Sequence, residues 1–73
     1  MITIVTTSLA SKLNAAYLNG GMDFRAGAPC DPKTPLAIYN YLGEKDKKLI
    51  ADSWIAGWHN ERLIQLLFDG LPA

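Results

Sequence analysis

The sequence predicts an all-α domain: two main helices, about residues 8–26 and 44–69, joined by a proline-rich loop and a short helix, with an extended N-terminal arm. Three observations carry that prediction. Apolar residues recur at helical spacing in both halves of the chain. The densest cluster of chain breakers lies between those halves, at 27–35. Both tryptophans, Trp54 and Trp58, stand four residues apart, so a helix would project them from one face. Seventy-three residues at 49% hydrophobic and 19% charged make a single small domain spanning 1–73.

The arm comes first. Ile2 and Ile4 with the threonines at 3, 6 and 7 favour extended backbone, either packed on the helices or offered as an edge to another chain. Ser8 then suits the N-cap of the first helix. Leu9, Leu13, Ala16, Tyr17, Gly20 and Phe24 follow one helical face at spacings of three and four. Gly20-Gly21 would weaken a helix. We expect one helix nonetheless, because Gly20 falls on the apolar face, where a glycine admits a close neighbour.

From Gly27 to Pro35 the chain holds three prolines and a glycine in nine residues, a loop whose backbone the proline rings restrict. Thr34-Pro35 reads as an N-cap followed by proline at the first helical position. A short helix from Pro35 to Leu42 would present Leu36, Ile38, Tyr39 and Leu42, with Gly43 ending it. The second long helix opens on Glu44 and Asp46, which suit the dipole of its first turn. Leu49, Ile50, Trp54, Ile55 and Trp58 give it an apolar face, and Leu63, Ile64, Leu66, Leu67 and Phe68 extend it. Gly57 and the polar run His59–Arg62 mark the expected break. The breadth of the 66–68 segment predicts burial against Ile2 and Ile4 or against a second subunit, so a homodimer through this segment or the arm is one expectation.

Composition narrows the function classes. Seven Lys and Arg balance seven Asp and Glu, whereas simple nucleic-acid binders carry a basic excess. A single cysteine, Cys30, cannot close an intramolecular disulfide, which fits a reducing, cytoplasmic setting. No apolar run is long enough to span a bilayer, so no membrane association is expected. Cys30 and His59 invite a nucleophilic pair, but no oxyanion-hole motif accompanies them; they read as a packed cysteine and a surface or capping histidine. There is no metal-ligand spacing and no phosphate-cradling glycine motif, so neither metal nor cofactor is expected, and the chain does not read as an enzyme. Lys45, Lys47 and Lys48 form the one basic cluster; interleaved with Glu44, Asp46 and Asp52, they read as a solvated helix face, with phosphate contact as the alternative. The tryptophans read first as core anchors and second as an exposed binding hot spot.

The combined pattern resembles a known family. Ala16-Tyr17, Gly20-Gly21, Phe24, Gly27 and Cys30-Asp31-Pro32, followed by Trp54-Ile55-Ala56-Gly57-Trp58, is similar to the ribosome modulation factor family with its small phage- and plasmid-borne relatives. The likeness covers roughly Leu13 to Arg62, and Trp-x-x-Gly-Trp is its most specific element. It implies a two-helix protein that binds ribosomes, contacts ribosomal RNA and helps place them in a dormant dimer. In that fold, glycines of the first helix admit the second, a proline turn reverses the chain, and the tryptophans fill the joint. The chain departs from the pattern in its neutral charge, in Asp31 between cysteine and proline, and in a longer segment from Lys33 to Asp52. On this reading Arg25, Lys45, Lys47, Lys48, Trp54, Trp58, His59 and Arg62 are the candidate binding residues. The partner is a ribosome with its RNA or another host assembly. The alternative is a protein–protein interaction module, such as a phage- or plasmid-encoded inhibitor of a host enzyme.

Overall fold

The computed structural model describes residues 9–70, which form two helices and no strand. Helix α1 is Leu9–Arg25 and helix α2 is Glu44–Gly70. Both boundaries fall within a residue of the sequence expectation. The arm and Ser8 lie outside the described residues.

Helix α1 is unbroken through Gly20-Gly21, and both glycines are buried. It ends on a Schellman cap. Gly27 adopts φ 87°, the Gly27 N–H donates to the Phe24 carbonyl at 3.0 Å, and the Ala28 N–H donates to Asp23 at 2.9 Å. Glycine suits that position because a Cβ disfavours positive φ.

The second helix also runs without interruption, through Gly57 and His59–Arg62, where the sequence suggested a break. A neighbour explains this. Gly57 lies buried against α1, and Glu61 in the polar run is held by Arg25, so tertiary contact offsets the weak local propensity.

The short helix contracts to one 3₁₀ turn, Ala37–Tyr39, within a run of i→i+3 bonds that continues to Leu42. Pro32 and Pro35 supply no N–H, and eight residues are too few to repay helix nucleation. A three-residue period places Leu36, Tyr39 and Leu42 on one side, and all three pack against the core. Ile38 falls off that side and is exposed, contrary to its expected place on the apolar face.

The contacts between helices advance in the same direction on both. Ser53 meets Leu13, Gly57 meets Tyr17, and Glu61 meets Arg25. The two helices therefore run the same way. Residues 26–43 carry the chain back between them, with Ala28 beside Trp58, Cys30 beside His59, and Leu36 and Tyr39 near Ile50 and Lys47. The chain turns back after α1 and turns again before Glu44, so a crossover joins the helices where the resemblance implies a single reversal. Ala16, Ile50 and Trp54, all fully buried, are the centre of the core. Leu9, Leu13, Leu36, Tyr39, Leu42, Ile55 and Trp58 surround them.

Candidate functional site

Tyr17, Gly20, Trp54, Gly57 and Trp58 meet at one joint. A Cβ on Gly20 would stand 2.9 Å from both the Trp54 carbonyl carbon and the Trp58 nitrogen, and closer still to the Trp54 carbonyl oxygen. A Cβ on Gly57 would overlap the Tyr17 carbonyl oxygen and stand 2.7 Å from its carbon. The contact is reciprocal: each glycine presents its Cα to a carbonyl of the other helix, the arrangement of a Cα–H···O interaction. Ala16-x-x-x-Gly20 on α1 and Ser53-x-x-x-Gly57 on α2 supply the small residues that let two backbones approach. Ser53 adds a cross-link, its Oγ donating to the Leu13 carbonyl at 2.6 Å.

Because the glycines bring the backbones together, the tryptophan side chains project to the side of the joint. The Trp54 indole is fully buried, and its Nε1 donates to Asp23 Oδ2 at 2.8 Å. Trp58 is half-buried. Its Nε1 donates to the Ala28 carbonyl at 3.0 Å, and the Phe24 ring stands edge-on to it, centroids 5.0 Å apart. Trp54 is thus a core anchor, and Trp58 pins the returning loop to α2. The helix–helix joint is made by glycines, and the indoles fill the space between the helices and the loop. No buried side-chain N or O among the described residues lacks a hydrogen-bond partner.

The basic candidates divide between two places. Arg25 grips Glu61 with two bonds, Nε to Oε2 at 2.9 Å and Nη2 to Oε1 at 3.3 Å. Bonding to Glu61, then its negative charge, raise the guanidinium pKa above its ordinary value, against a smaller opposing effect of desolvation. At the start of α2, Lys47 pairs with Glu44 at 3.5 Å and Lys48 with Asp52 at 3.0 Å. Lys45 and Arg62 are exposed and have no ion pair among the described residues. Fourteen residues of helix separate Lys48 from Arg62, about 21 Å along α2. The structure therefore does not gather these cations into one patch.

Cys30 and His59 do come together. Sγ lies 3.8 Å from Nε2, and the imidazole stands edge-on to Trp58 with centroids 5.2 Å apart. Cys30 is exposed, which corrects its expected packing: the 29–31 turn carries it along the outside of α2. His59 has no second hydrogen-bond partner among the described residues to orient it as a base. No group of three or more His, Cys, Asp or Glu among those residues could hold a metal ion. A cleft of about 320 Å³ opens between α1 and the loop beside Asp23, Pro29, Asp31 and Trp54.

Several residues of this site carry no sequence signal of their role. Asp23, Glu61 and Ser53 are ordinary polar positions until their partners are known. Asp31 was legible only as a departure from the family pattern; its Oδ1 accepts the Lys33 N–H at 3.1 Å, an Asx turn that shapes the loop. No described helix is long and apolar enough to cross a membrane. Comparison with known protein families, with curated proteins and with solved structures finds no match to this chain.

Proposed function

We propose that this chain is a small non-enzymatic regulatory protein of the ribosome modulation factor type, acting by docking on a ribosome or a comparable host assembly in the cytoplasm. One observation supports the reading above the others. The residues that carry the resemblance are neighbours in space. Tyr17 faces Gly57, Gly20 faces Trp54, Phe24 abuts Trp58, Gly27 caps α1, and Cys30 reaches His59. Most of a pattern spread from Ala16 to Trp58 gathers at one joint and the loop that returns beside it. In this reading the joint is scaffold, and the outer surface with Lys45, Arg62 and the rims of both helices does the docking.

Co-sedimentation through sucrose gradients at low and moderate salt tests the ribosomal version. With so few unpaired cations, the salt dependence should correspond to only about two or three phosphate contacts. Absence from every ribosomal fraction at both salts removes that version.

A specific observation favours a second reading, in which the partner is a protein. Arg25, Lys47 and Lys48 are engaged with carboxylates of the chain itself, which leaves little positive charge to meet phosphate. A pull-down that retains one stoichiometric protein after nuclease and salt treatment would select this reading; recovery of only ribosomal RNA and ribosomal proteins would reject it.

A further inference from the structure

The seam on α2 that packs against α1 is longer than α1. Ile50, Trp54, Gly57 and Glu61 face it at spacings of four, three and four. The same progression continues to Ile64 and Phe68. Helix α1 ends at Arg25, opposite Glu61, and the loop then turns back toward the start of α2. The last nine residues of α2, about 13 Å, therefore run past every other described element. On that overhang Leu63, Ile64, Leu67 and Phe68 form an uncharged apolar arc, 37–69% exposed.

Ile2 and Ile4, which the sequence offers as one cover for Leu66–Phe68, lie outside the described residues.

We propose that the overhang is a self-association surface, on which the same segment of a second copy of this chain continues the seam where α1 leaves off. Two overhangs laid antiparallel across a two-fold axis bring Ile64 and Phe68 of each copy against Leu63 and Leu67 of the other. The arc carries no charge and the chain has zero formal net charge, so copies meet without mutual repulsion. Four large side chains plus Leu66, at roughly 100 Å² each, bury about 1,000 Å² across the pair, the lower limit of a specific interface. That area predicts a reversible dimer with a dissociation constant in the micromolar range rather than a permanent one. The inference does not depend on whether the docking target is a ribosome.

Sedimentation velocity of the full chain, from about 1 to 500 µM, tests it. The wild-type chain should pass from monomer to dimer over that range. Phe68→Glu and Leu67→Glu should each weaken the dimer by at least ~30-fold, the size of a hot-spot loss, with unchanged helical signal and melting at low concentration. Ile38→Glu, at an equally exposed apolar position on the loop, should leave the association unchanged. A wild-type chain that stays monomeric throughout overturns the proposal. So does a dimer insensitive to both overhang substitutions, or one that Ile38→Glu disrupts. Loss of either overhang variant to misfolding does not end the test, because the other reads the same face.

Discussion

Adjacent glycines in α1 should respond in opposite directions to the same substitution. A methyl on Gly20 meets backbone atoms, the Trp54 carbonyl and the Trp58 nitrogen, so no side-chain rotamer can relieve it. The helices must separate by roughly an ångström to clear the Trp54 carbonyl oxygen, which loosens Ala16, Ile50 and Trp54 together. Overpacking of this kind costs about 1–3 kcal/mol, and an unyielding neighbour places Gly20→Ala at the upper end. The gain in helix propensity offsets about 1 kcal/mol. The net loss is therefore about 2 kcal/mol, and at 4–8 °C per kcal/mol for a domain of this size the melting midpoint should fall by roughly 8–16 °C. At Gly21 the nearest atoms to a Cβ are a Glu61 side-chain oxygen at 3.5 Å and carbon at 3.6 Å, ordinary contact distances. Gly21→Ala should keep its propensity gain and raise the midpoint by up to about 8 °C. Thermal and urea melts followed by far-UV circular dichroism, at a fixed low protein concentration, measure both. If Gly20→Ala melts at or above the wild type, the close backbone approach is wrong, and with it the parallel pairing.

Three further outcomes follow from contacts at the joint. Asp23→Ala leaves the Trp54 indole N–H unpaired in the core and should cost about 1–3 kcal/mol, with Asp23→Asn recovering most of the loss; urea titration reads both. The Arg25–Glu61 bond raises the arginine pKa, so the guanidinium's contribution to stability is complete below the ordinary arginine range and declines only above it. Alkaline titration to about pH 10 should therefore give the same stability difference between wild type and Arg25→Gln throughout, and a difference that collapses below that pH would contradict the assignment. Exposed Cys30 should be alkylated fully in the native state without denaturant, as mass spectrometry would show; protection matching that of the core would contradict its place on the outer turn.

The sequence made the helices legible because their signals are local. Apolar spacing set both spans, and the glycine and proline cluster set the loop. Chain direction was not legible. A proline-rich connection serves an antiparallel hairpin and a crossover equally well, and only the pairing of Leu13 with Ser53 and Arg25 with Glu61 distinguishes them. The role of Gly57 was half legible. Its cost to a helix implied a close neighbour, yet the same cost suggested a break, and the choice between the two depended on what lay opposite. The four-residue spacing of the tryptophans fixes a common face but not whether that face meets a helix or the returning loop. The candidate cations illustrate the same limit, since three of them are paired with carboxylates that only the folded chain, or one turn of helix, brings near.

The crossover has a kinetic consequence. The ties between α1 and α2 at the joint link residues some 31 to 40 positions apart, about half the chain. A helical hairpin of this size would assemble from neighbours, but here α1 has no helix to pack on until α2 has been made at least as far as Glu61. Non-local closure of this kind slows folding relative to bundles with local contacts. During synthesis, α1 leaves the ribosome well before its partner and must wait, with Leu13, Ala16 and Gly20 uncovered, for a helix encoded some forty residues later. Folding then waits until α2 has been made, and a truncation just before Glu61 should yield a chain without native structure rather than a shortened domain.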